Sequence, residues 1–170
     1  MLRRRDMVIV GALGAGACGL AGYVVLGRRS PSLCEDDIVC LERRQQADLP
    51  HADDPIWPRL RKCRVTLNRQ TGDYSLQPTD EMRALVGRSL RVRGFVLPLD
   101  GTDETSHFLI GVNTPVCFYH PPGDPNQVME VVTTTPVAWN DGPVTVTGRL
   151  ALIENSQMGV FFKLNAARET

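Results

Sequence analysis

Pro121, Pro122 and Pro125 stand within five positions of one another. They directly follow Cys117-Phe118-Tyr119-His120 and directly precede Asn126-Gln127. Proline fixes φ and lacks a backbone donor, so this stretch is neither sheet interior nor helix. β-like runs flank it, His107 to Val112 before and Val128 to Thr133 after. The chain must therefore hold a rigid, shaped loop suspended between strands. Binding and chemistry gather on such loops. This one displays a thiol and an imidazole three residues apart and ends on two amides.

The rest of residues 56–168 reads as short strands with one short helix. Arg64 to Leu67 and Tyr74 to Leu76 alternate around a turn at Gln70 to Asp73. Thr79 suits an N-cap for a helix over 80–86, with acids in its first turn and Gly87 just past its end. Ser89 to Pro98 alternates as far as Gly94 and then runs apolar. A glycine at such a slip marks a bulge or a sharp coil of the strand. Thr102 to Ser106 reads as a polar loop. Val144 to Leu152 alternates cleanly, and Gly159 to Leu164 closes the set. Short strands with coiling glycines predict a mainly β fold, a small OB-like β-barrel, with a two-sheet sandwich as the alternative.

Ahead of this domain the expected order is an anchor and then a linker. Arg3-Arg4-Arg5 precedes an uncharged run from Met7 to Leu26, about the ~20 residues that span a bilayer. Residues 1–29 therefore read as a signal or transmembrane helix, and the arginine flank predicts an extracytoplasmic remainder. Arg4-Arg5-Asp6 followed by hydrophobics also matches a twin-arginine export signal. Cleavage after Ala17, with or without lipidation of Cys18, is the competing fate. The expected location is thus the bacterial inner membrane with a periplasmic domain, or export after cleavage. Residues 30–55 are polar, turn-rich and without a helical or strand period, which reads as linker. About 115 residues then remain, room for one core and no second domain.

Lys plus Arg and Asp plus Glu balance at 19 each. Removing the first 29 residues leaves the remainder mildly acidic, which argues against nucleic acid as a partner. Of the five cysteines, Cys34 and Cys40 are a candidate disulfide in an oxidising compartment. Cys63 and Cys117 are either a second pair or two free thiols.

Three readings of the loop stay open. As a rigid binding surface, Cys117, Tyr119, His120, Pro121, Pro122, Asn126 and Gln127 would present a shape to a protein partner, with Phe118-Tyr119 as its aromatic element. As a metal site, Cys117 and His120 would supply two ligands and His107 a third, a set that suits zinc or copper. As a thiol enzyme or redox protein, Cys117 would be the nucleophile with a histidine as base. The Asp100, Asp103 and Glu104 spacing lacks the pattern of a calcium loop, and Trp57 and Trp139 read as packing aromatics.

Cys117, Pro121, Pro122, Asn126 and Gln127 fall in register with the pattern of the bacterial domain-of-unknown-function family 3299, which the chain resembles over about Trp57 to Ala167. Gly94-Phe95-Val96-Leu97-Pro98-Leu99 and Val146-Thr147-Gly148-Arg149-Leu150 are similar to two further phrases of that family. The family pattern sets its histidine two residues after the cysteine, where this chain has Tyr119. Here the histidine is His120. The resemblance implies an exported or envelope-anchored protein with a barrel of this type, in the company of metal-uptake transporters. Together these lines lead to an expectation of a non-enzymatic, envelope-anchored binding or accessory protein that supports metal handling or transport. Its expected partner is another envelope protein, a metal transporter in the sharpest version.

Overall fold

The computed structural model describes residues 37–170, all in one compact unit. The expected anchor segment, Cys18 and Cys34 lie outside the described residues. Among the described residues no helix is long and apolar enough to cross a membrane.

The chain runs α1 (Ile38–Ala47), α2 (Ile56–Arg61), β1 (Arg64–Leu67), β2 (Tyr74–Gln77), α3 (Asp80–Arg83), β3 (Ser89–Pro98), β4 (Glu104–Gly111), β5 (Val128–Ala138), β6 (Val144–Leu152), β7 (Asn155–Ser156) and β8 (Phe162–Glu169). Five strands close a barrel in the order β3-β4-β5-β8-β6, and β1, β2 and β7 form a small separate sheet. Within the barrel β5 and β8 pair parallel, and the other neighbours pair antiparallel. A three-strand meander completed by two crossed strands is the OB-like barrel that the strand pattern predicts.

Gly94 explains the slipped period of β3. Residues 89–94 pair with β6 and residues 95–98 pair with β4, so the strand changes partners at this glycine without a bulge. A Cβ on Gly94 would lie 2.6 Å from the Gly111 carbonyl oxygen and 3.0 Å from the Trp57 ring. Trp57, buried on α2, donates from Nε1 to the Arg93 carbonyl oxygen at 2.9 Å. The helix is thus pinned where β3 changes partners. Ile56 and Leu60 enter the same core, which also takes Met82 from α3 and Leu76 from β2.

The structure corrects the predicted organisation in three places. Residues 38–47, read as linker, form α1, and α2 adds a further helix to the single one expected. That single helix is shorter than expected, α3 ending at Arg83 before a turn, although Thr79 caps it by accepting the Met82 N–H at 3.3 Å. The polar stretch 104–106 is strand, because Glu104 and Thr105 pair with Ala138 and Val137 of a longer β5. Pro136 is tolerated there because β5 pairs with β8 only as far as Thr133, and beyond that point one edge is free.

Candidate functional site

The segment between β4 and β5 folds back onto the barrel wall instead of projecting from it. A Cβ on Gly111 would lie 2.8 Å from Pro122, so the buried Pro122 ring needs a residue without a side chain beneath it. The two amides then brace the turn from within. Gln127 Oε1 accepts the Asp124 N–H at 3.3 Å and an Asn113 side-chain N–H at 3.3 Å, and Asn113 also donates to the Pro122 carbonyl oxygen at 2.9 Å. Asn126 donates to the Cys63 carbonyl oxygen at 3.2 Å and tethers the loop to the end of α2. Asn126 and Gln127 are therefore structural braces, and they fix where Cys117 and His120 stand.

Helix α1 lies against this braced loop. The carboxylate of Glu42 faces His120 Nδ1 at 3.0 Å, and Arg43 pairs with Asp124. Gln46, one turn on from Glu42, is buried. Cys117 Sγ accepts the Tyr119 N–H at 3.4 Å, a local bond that holds the thiol inward of the exposed Tyr119 ring. The outcome is a cluster of three half-buried donors of different chemistry. One ligand atom each from Glu42, Cys117 and His120 lie within 4.8 Å of one another. Beside it opens a cleft of about 230 Å³ lined by Glu42, Gln46, Tyr74, His120, Pro125 and Met158, among others.

His107, the third predicted ligand, is elsewhere. Its Nε2 lies 2.8 Å from Glu130, which also takes Lys163 at 2.8 Å on the outer wall of the barrel. Burial works to raise the Glu130 carboxyl, but the hydrogen bonds and charges of Lys163 and His107 outweigh it and hold the carboxyl below its ordinary value. His107 belongs to that ion-pair triad, and Glu42 takes its place at the cluster. Glu42 was missed because nothing in the spacing of residues 30–55 announces a helix that packs by polar groups. The acidic loop is a self-contained turn, with Asp100 accepting from Thr102 and Thr105.

Cys63 and Cys117 are both free, Cys63 buried and Cys117 half-buried. Cys40 is disulfide-bonded, and its expected partner Cys34 lies outside the described residues. On the outer side of the loop Phe118 packs edge-on to Trp139, with ring centroids 5.3 Å apart. Both rings, with Tyr119 and Leu99, remain exposed.

No curated protein matches this chain. A crystal structure of a DUF3299 family protein from Pseudomonas aeruginosa PAO1 is similar at 20% identity and a TM-score of 0.44, covering 56% of this chain and 67% of that one. The family model described as "Protein of unknown function (DUF3299)" matches residues 43–166, which takes in the second half of α1, the barrel and the whole braced loop. The chain belongs to the DUF3299 family.

Proposed function

We propose that this is an exported, envelope-anchored, non-enzymatic binding protein that takes up a thiophilic metal ion, zinc or copper, at Glu42, Cys117 and His120. One observation carries the reading: a carboxylate, a thiol and an imidazole from two distant segments converge within 4.8 Å. Zinc accepts this mixed O, S and N set at about 2.0–2.3 Å, and copper(I) favours the thiolate. Closing the three donors to those distances needs only small side-chain movements. Three protein ligands would leave one tetrahedral position open, which suits an ion that is to be passed on. The exposed Phe118, Tyr119 and Trp139 surface beside the cluster suits an envelope protein partner, and a metal transporter is the partner that this chemistry favours.

The test is metal retention by the purified full-length chain. After loading with zinc and desalting, about one equivalent per chain is expected, as the ligand count implies. Cys117→Ser and His120→Asn should each release it. An ion-free wild-type protein, or variants that keep the ion, would sink the proposal.

A second reading has one observation in its favour. Glu42 faces His120 Nδ1, which leaves Nε2 for the thiol, the order of nucleophile, base and orienting carboxylate. It requires Cys117 in the metal-free chain to react with iodoacetamide well above a model thiol, and His120→Asn to abolish the excess. Equal rates would remove it.

A further inference from the structure

The outward face of β3, β6 and β8 is arginine-rich, and its composition follows from strand register. Side chains alternate between the faces of a strand. Val92, Val146, Gly148 and Leu150 point into the barrel and are buried, so residues 89, 91 and 93 of β3 and 145, 147 and 149 of β6 point out. Pairing sets them in rows: Ser89 beside Arg149 beside Asn165, then Arg91 beside Thr147 beside Arg168, then Arg93 beside Thr145. These eight positions hold four arginines, three hydroxyls and an amide, with neither carboxylate nor aromatic ring. Among the described residues none of the four guanidinium groups enters an ion pair, and only Arg149 makes a hydrogen bond, to the Gly87 carbonyl oxygen at 2.6 Å. Asp54, which accepts the Arg93 backbone N–H, and Glu169 stand at the margin.

A second observation gives this face shape. Between its first two rows β8 carries an extra residue, so the register with β6 shifts between Thr147 and Arg149. Ala166 sits in that bulge with φ +48°, a left-handed conformation that non-glycine residues rarely hold. Such strain persists where surrounding structure enforces it, and it concentrates at functional sites. The bulge spreads Asn165 from Arg168 and opens a cleft of about 350 Å³ lined by Ser89, Thr134, Thr147, Arg149, Asn165 and Arg168.

We propose that this cleft, together with the Arg91 and Arg93 positions beside it, binds an acidic oligosaccharide, a hydroxyl-rich chain bearing several phosphate, sulfate or carboxylate groups. Rows lie roughly 7 Å apart along the strands, and Arg91 and Arg168 are two strands apart, roughly 10 Å. The four arginines are spread over three rows and three strands, more positive charge than one small anion would neutralise, so the ligand carries multiple charges. Guanidinium groups take the anions in forked hydrogen bonds, and Ser89, Thr147 and Asn165 meet sugar hydroxyls. Single-stranded nucleic acid is disfavoured because its bases need aromatic platforms, and this face has none. Apart from Thr134 of β5, the cleft is lined from strands that do not carry the Cys117 loop, so it is separate from any metal at Glu42.

The experiment is direct binding of the full-length chain, in non-ionic detergent, to a heparin-derived octasaccharide, to neutral maltooctaose and to a single-stranded DNA octamer. Expected is salt-sensitive binding of the acidic octasaccharide and none of maltooctaose, with the DNA at least about tenfold weaker. Arg91→Glu with Arg168→Glu should weaken the acidic sugar by at least about tenfold, while Arg91→Gln with Arg168→Gln weakens it in a chain with wild-type melting. Arg69→Glu, in the β1–β2 turn, should leave it unchanged. No binding, equal loss in Arg69→Glu, full binding by the double variants, or DNA bound as tightly as the sugar would each overturn the proposal.

Discussion

Glu42 and His120 are 78 positions apart in the chain and 3.0 Å apart in the fold. The contact joins α1 to the braced loop, and it makes the candidate metal site a composite of two segments. Glu42→Gln removes the charge without changing the shape. It should weaken zinc about 10- to 100-fold, whether Glu42 ligates the ion or orients His120, and should leave thermal melting close to wild type. Titration calorimetry with zinc measures this, and an unchanged affinity would exclude Glu42 from the site.

Gln127 should matter to the loop more than to the barrel. Its side-chain oxygen accepts from Asp124 and Asn113. Gln127→Ala leaves two donors short of an acceptor, at a cost of about 1–3 kcal/mol. Hydrogen exchange should show the Asp124 amide exchanging faster while the β5 amides keep their protection. Uniform loss of protection would show that the loop and barrel open together.

The Trp57 indole both fills the core and ties α2 to β3. Trp57→Phe keeps most of the apolar volume and leaves the Arg93 carbonyl without this donor. A loss of about 1–3 kcal/mol is expected in chemical denaturation. Trp57→Ala also opens a cavity and should cost about 3–5 kcal/mol.

Glu130 gives the fold an acid-side pH dependence. Its carboxyl is lowered in the folded state relative to the ordinary 4.5. A depressed folded value stabilises the protein above the unfolded value, and the contribution is lost as pH falls through the folded one. Glu130→Gln should therefore be less stable than wild type by about 1 kcal/mol at pH 7. The gap should close progressively as pH drops below 4.5. A gap that persists unchanged into strong acid would assign the effect to packing.

The barrel strands were legible because their chemistry is periodic. β3 and β6 alternate visibly, and both Gly94 and Gly148 mark places where the wall bends or shifts register. The rigid loop was legible from its prolines, which forbid regular structure whatever surrounds them. Helix α1 was not legible, because polar Glu42 and Gln46 are among its inward positions, where an amphipathic helix would show an apolar stripe. The role of His107 was not legible either. Its partner Glu130, and Lys163 that shares Glu130, lie on other strands, and only the pairing of β4 with β5 and of β5 with β8 brings them together. Glu42 belongs to the same class, since its meaning depends on a contact across 78 positions.

The most direct measurement is the absorption spectrum of the full-length chain loaded with cobalt(II) in place of zinc. A thiolate-to-cobalt charge-transfer band and the intense visible bands of a tetrahedral ion are expected. The charge-transfer band should vanish in Cys117→Ser, and the visible bands should change in His120→Asn. A weak spectrum like that of the aqueous ion, or a charge-transfer band that survives in Cys117→Ser, would contradict a metal site at Glu42, Cys117 and His120.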